Sequence, residues 1–302
     1  MATTVTAPVG NTIALAERYL PILDEIYKAG SKSAILDTAA ERVRWEGAKK
    51  AYLFNTTMVG LANYSRNAGF VPGDATDGWD DYEITQDRGR SFLIDVMDND
   101  ETLGMAFGTL VGEFERTQVI PEMDAYRFAK YASGAAAAQV ITETLSAGAA
   151  TIASIDNATA ALDNAEVPYE GRILFVNPNT YKLIKGGVTR MVMNGENNVN
   201  YNVEIYNDMR LITVPSGRFN TAVTINAPTT SAGAGGYTAT GDTINYMIVH
   251  PSAVLQVVKH AVPRTFSPQV NQEADAWKFD YRVYHDCWVK AQKTNGIYVS
   301  HA

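Results

Sequence analysis

The chain has little of what catalysis, metal binding or membrane insertion requires. Cys287 is the single cysteine among 302 residues, so neither an intramolecular disulfide nor an all-cysteine metal site can form, and the usage fits a reducing compartment. The histidines are His250, His260, His285 and His301, and none falls in a ligand-spacing motif such as HExxH. No stretch approaches the ~18 consecutive apolar residues of a membrane span. Residues 1–12 lack the basic-then-apolar order of a signal peptide. There is no GxxxxGK[ST] phosphate loop, no GxSxG elbow, and no histidine arrangement around Cys287. The glycine-rich GAGG at 233–236 neither follows a predicted strand nor opens a helix. The reading is a non-enzyme with no catalytic residue, cofactor or metal. A net charge of −8 argues against a free-standing DNA-binding surface, although it suits the wall of a container that must not hold its contents.

What is present is secondary structure in an unusual arrangement. Apolar positions at helical spacing (Leu15, Tyr19, Ile22, Leu23, Ile26) predict a helix over 12–29 that Pro21 interrupts and Gly30 ends. Residues 33–45 read as a second short amphipathic piece. Residues 48–59 are rich in β-formers, and the turn residues of 60–81 follow, including DATDGWDD at 74–81. Leu103, Phe107, Leu110, Val111 and Phe114 share one helical face, with Asp98, Asn99 or Asp100 as the cap, and Pro121 kinks the helix or divides it from 122–131. Further on, residues 154–164 read as a helix capped by Ser154 or Asp156, 172–176 as a buried strand, and 179–185 as a helix. Residues 203–206 and 210–214 read as paired strands, and 227–241 as a low-complexity surface loop. Three long strands close the chain, at 244–249, 254–265 and 276–292. The fold class is α+β.

Residues 82–97 carry the strongest signal. They alternate at period two as one strand, with apolar ends and the charged centre QDRGR, and Gly89 is placed as a bulge. One strand of that length spans roughly 50 Å, too long for a single core, and pairs with 48–59 in a long hairpin. Asp87, Arg88 and Arg90 then sit where a strand has left its own body. Arginine suits bidentate pairing with a partner's carboxylates. The pattern points to assembly.

Five segments in fixed order carry a family resemblance: ILDEIYKAGSKSAILD (22–37), YSRNAGFVPGDATDGWDDYEITQDRGRSFLIDVMDNDET (64–102), PEMDAYRFAKYAS (121–133), NAEVPYEGRILFVNPNTYKLI (164–184) and DAWKFDYRVYHDCWVKAQKTNGIYV (275–299). In these the chain resembles the tailed-bacteriophage major capsid proteins of the Hong Kong 97-type fold. The resemblance implies an N-terminal arm at 1–46, an extended hairpin loop at 47–97, and a peripheral domain with its spine helix at 98–133. It implies an axial domain at 134–249 and peripheral-domain long strands with the C-terminus at 250–302. Such subunits form hexamers and pentamers of an icosahedral shell around double-stranded DNA, assembled in the host cytoplasm, with scaffolding, portal and decoration proteins as partners. The extended loop lies over the neighbouring subunit, so Asp87, Arg88 and Arg90 are the contact candidates on one side and the spine-helix carboxylates Glu113 and Glu115 on the other.

Two departures qualify the resemblance. The arm begins almost at Met1, which implies a separate scaffold or none. Lys49 and Lys50 lie in the hairpin without a recognisable reacting trio, so no crosslink is expected. The competing readings are an encapsulin-like nanocompartment shell and a soluble enzyme or binding domain with its long strands packed internally.

Overall fold

The computed structural model describes residues 30–37, 44–46, 50–67, 69–101, 112–187, 203–228 and 233–302. The expected helix over 12–29 lies outside the described residues, as do Leu103, Phe107, Leu110 and Val111.

The central sheet has six strands: β5 (Val140–Thr142), β6 (Ile173–Val176), β7 (Ile205–Tyr206), β8 (Met209–Thr213), β11 (Ile244–Val249) and β14 (Ile297–His301), in the order β5-β14-β11-β6-β8-β7. All four residues of β6 are buried, as an apolar strand covered on both faces requires. Ile173 and Phe175 pack on one side with Phe128, Tyr131, Met247 and Val299. Leu174 and Val176 pack on the other with Ile155, Leu162, Ile184 and Tyr246. The first side is covered by helix α2 (Ile120–Gly134), and the second by α3 (Gly148–Asn164) and α4 (Pro178–Gly187). β7 and β8 join through Asn207 and Asp208, both at positive φ (47° and 57°), the geometry of a two-residue hairpin turn.

The helix α3 starts six residues before the expected 154. Ser154 and Asp156 therefore lie inside it and bond sideways, Ser154 Oγ to Glu143 and Asp156 Oδ1 to Tyr206 OH at 2.8 Å. The expected loop at 227–241 is in part a strand: β10 (Tyr237–Ala239) pairs with β9 (Val223–Ile225). Ahead of α2 the chain makes a π-helical turn over Glu115–Val119, closed by Ile120 N–H to Glu115 O. Pro121 has no N–H for the regular ladder, and the wider turn absorbs the mismatch without dividing the helix. Of the amphipathic piece expected at 33–45, the described residues form a 3₁₀ turn at Ala34–Leu36 and the start of strand β1 (Arg44–Glu46).

The largest correction concerns residues 82–97, which are not one strand. β3 (Ala75–Glu83) ends before Ile84, and β4 (Gln86–Asp95) begins after Thr85. β3 pairs antiparallel with β2 (Lys50–Met58), which β1 joins on its other edge, and these three form the projecting hairpin sheet. The acidic run at 74–81 is thus mostly strand and not turn. β4 belongs to a different sheet, paired with β13 (Ala276–Val289), which pairs in turn with β12 (Val254–Phe266). Its register runs unbroken from Gln86 to Asp95, so Gly89 is no bulge. A side chain there would bring Cβ within 2.9 Å of Tyr281 O, and glycine lets the strands close. The register shift lies in β12, between Val258 and His260. Helix α1 (Val96–Glu101) follows β4, and at its start Asp95 Oδ1 accepts from Met97 N at 2.9 Å.

Candidate assembly surface

The two halves of the interrupted strand have opposite burial. β3 is exposed along most of its length, with Trp79 half out and Asp74, Asp77 and Asp81 in solvent. Beyond it, the hairpin tip carries Met58, Val59, Leu61, Tyr64, Phe70 and Val71, all more than half exposed. Tyr64 and Phe70 tilt together at 4.9 Å, and Phe70 is still 87% exposed. An apolar cluster of this size in water marks a contact surface. Lys50 at the root pairs with Asp81 at 3.2 Å in solvent, a bond worth little by itself.

The root is held firmly. Tyr82 lies tilted against Trp288 at 5.4 Å, and Ala51 is buried with Leu255 and Val257. Between the half-strands, Asp286 captures Thr85: its Oδ2 accepts from Thr85 N at 2.7 Å and Thr85 Oγ1 at 2.8 Å. Its Oδ1 accepts from Tyr126 OH and Cys287 N, both at 2.8 Å. Asp286 is 1% exposed, and these four donors replace the water it has lost. The neighbouring His285 is held down to about 4 by burial first and by Arg127, partly offset by Asp286. Burial also raises the Cys287 thiol well above its ordinary value, so it is a packing group and no nucleophile.

A second buried carboxylate ties down residues 30–37. Asp124 on α2 accepts from Ser31 Oγ (2.8 Å), Lys32 N (3.0 Å), Ser33 N (3.2 Å), Ser33 Oγ (2.7 Å) and Arg218 Nη1 (3.2 Å). Arg127 Nη1 donates to the same Ser33 hydroxyl at 2.9 Å. No solvent reaches Asp124, so the segment before β1 is bolted to the core by one charge.

The five expected contact residues fall in different settings. Arg88 and Arg90 share the face of β4 turned toward the helical segment. Arg88 is engaged within its own chain, with Nε 2.7 Å from Glu122 Oε1, Nη2 3.3 Å from Glu122 Oε2, and Nη2 2.7 Å from Asn226 O. Arg90 Nη2 donates to Gly233 O at 3.3 Å. Asp87 is on the opposite, outer face, bidentate with Arg282 at 2.8 and 2.5 Å. Glu113 pairs with Arg116, and Glu115 is exposed. Glu122, Asp124, Thr85 and Asp286 were not found from sequence. Asp286 reads there as one more polar residue in an alternating strand, and only its partners reveal its role.

Among the described residues no group of three or more His, Cys, Asp or Glu side chains is placed to hold a metal. No helix among them is long and apolar enough to cross a membrane.

No protein-family model and no curated protein sequence matches the chain. Solved structures match it nearly end to end. A chain of the capsid of cyanophage P-SCSP1u is 13% identical, with a TM-score of 0.67 over 100% of this chain and 99% of that one. A chain of the mature capsid of bacteriophage PhiM1 is 12% identical, with a TM-score of 0.66 over 95% and 91%. A chain of Mycobacterium phage Che8 is 15% identical, with a TM-score of 0.65 over 97% and 98%.

Proposed function

We propose that this chain, whose α+β fold is that of the Hong Kong 97-type capsid subunit, is the major head protein of a tailed bacteriophage. The observation that carries the reading is the end-to-end match to capsid chains together with a hairpin whose tip exposes apolar side chains. A protein that stayed alone would gain nothing from presenting Leu61 and Phe70 to water on a rigidly rooted arm.

In this reading the chain is a structural protein and not an enzyme, and copies of it close into hexamers and pentamers of a shell in the host cytoplasm. The arm spans 1–46, the extended loop 47–97, the peripheral domain 98–133 and 250–302, and the axial domain 134–249. The loop's exposed portion ends at β3, and Asp286 roots it. Double-stranded DNA fills the shell, and scaffolding, portal and decoration proteins complete it.

The contact between copies uses the apolar hairpin tip and the acidic face of β3. Of the five charged candidates, Glu115 and Asp87, the latter paired with Arg282, are the exposed ones. Arg88 is engaged within its own chain by Glu122.

Native particles purified from infected cells test the reading. It predicts this chain as the dominant shell component around double-stranded DNA, with a portal at one vertex. Shells that enclose an enzyme and carry no portal would overturn it.

A further inference from the structure

β12 is 13 residues long and, among the described residues, has a strand beside it on one side only, β13. Its first four residues are buried, but 258–266 are mostly exposed, Val258 and Val262 among them. A long open edge of this kind is a template for another strand, because its outward N–H and C=O groups lack a ladder partner. The same edge on a second copy fits it by two-fold symmetry.

The geometry of the sheet shows what stands on that edge. The carbonyl of Tyr281 is turned toward β4, since a Cβ at Gly89 would lie 2.9 Å from its oxygen. In an antiparallel sheet a residue exchanges both its bonds with one neighbour, and successive residues alternate. Tyr281 therefore bonds to β4, and Pro263, its partner on β12, has its ring nitrogen on the open edge. The register is unbroken from His260 to Phe266, so the N–H groups of Ala261 and Thr265 flank it there. Proline removes the middle donor of the three without costing β12 a bond to β13.

Four residues earlier the register shifts between Val258 and His260, and Lys259 is the extra residue. A bulge twists the strand away from a flat partner, and lysine and proline are further devices that close an edge. All three fall within residues 259–263. β3, open on one side over nine residues, has none of them: its register with β2 is unbroken and it contains no proline or lysine.

We propose that Pro263 and the bulge at Lys259 form a guard that keeps β12 from pairing with the same edge of a second copy. The guard does not depend on the capsid reading, because an open edge invites mispairing whether or not the chain builds a shell.

Pro263→Thr restores the missing donor with a strand-forming residue. Sedimentation velocity and amide hydrogen exchange over rising protein concentration test it. In the wild-type chain the amides of Ala261 and Thr265 exchange at a rate independent of concentration. In Pro263→Thr the chains associate, and those two amides slow by roughly tenfold as they do. Exchange at these positions separates edge pairing from every other association, shell closure included. Pro263→Thr with Thr265→Pro moves the proline two residues along the same edge, and association and the Ala261 rate return to wild type. Should that variant fail to fold by circular dichroism, Pro263→Thr with Ala261→Pro takes its place, read at Thr265. Should Pro263→Thr itself fail, Pro263→Ala carries the same test. Wild-type association in Pro263→Thr overturns the proposal, as does association that persists once the proline is moved. Concentration-dependent protection of Ala261 and Thr265 in the wild-type chain also overturns it, by making the edge a contact.

Discussion

Asp286 Oδ2 lies 2.7 Å from the backbone nitrogen of Thr85, and 201 residues of chain separate the two. That bond divides one alternating run into two strands with different destinations. It acts beside the Tyr82–Trp288 contact and the buried Ala51 in fixing the hairpin to the body. Asp286→Ala leaves Thr85 N–H and Tyr126 OH without their acceptor, so a loss of about 3 kcal/mol is expected. Urea unfolding measures it. Hydrogen exchange at Thr85 should quicken first, and unchanged protection there would contradict the role of this bond.

Asp124 gives a parallel prediction for residues 30–37. Asp124→Ala takes from the buried Arg218 its carboxylate partner and releases Ser31 and Ser33, at a cost of about 3–5 kcal/mol. Ser33→Ala removes a single hydroxyl and costs about 1 kcal/mol. Limited proteolysis should cut near residue 33 in the first variant well before the second. Equal resistance in the two would refute the anchoring account.

His285 sets an acid limit on stability. Its folded value lies near 4, below the ordinary 6.5, because burial and Arg127 disfavour the cation. Above pH 6.5 the group is neutral in both states and subtracts nothing. Between 6.5 and 4 the unfolded chain takes up a proton that the folded chain refuses, so stability falls with pH by up to ~1.4 kcal/mol per unit. Tyr126, Asp286, Arg127 and Arg88 are the groups that act on it. His285→Gln should flatten the dependence of the urea midpoint on pH across this window. An equally steep variant would show that another group dominates.

The hairpin tip separates folding from assembly. Leu61→Asp and Phe70→Asp alter residues that are solvated in the lone chain, so stability should change by less than about 0.5 kcal/mol. Association should be lost. Sedimentation velocity reads the second effect and thermal unfolding the first. Assembly at wild-type levels in the double variant would remove the tip from the interface.

The sequence already displayed the central strands. Residues 173–176 announce a doubly covered strand by being apolar throughout, and the alternation at 276–292 marks β13, which ends at Val289, three residues short. It misplaced the boundary at 84–85 because periodicity is local: Ile84 and Thr85 keep the alternation while Asp286, far along the chain, interrupts it. The same reasoning applies to Arg88. Its type and place suggested a salt bridge, and it makes one, but the partner Glu122 becomes adjacent only once α2 packs across the sheet. Turn residues misled at 74–81, where Asp and Gly lie in an exposed strand that has no core to select against them. The buried carboxylates were illegible for a simpler reason: their partners come from loops and chain segments that no periodicity connects.

Electron microscopy of the purified protein tests the central claim most directly. The account predicts closed icosahedral shells built from this chain alone or with its scaffold, and their disappearance in the Leu61→Asp, Phe70→Asp variant. A stable monomer at every concentration, with scaffold present, would contradict it.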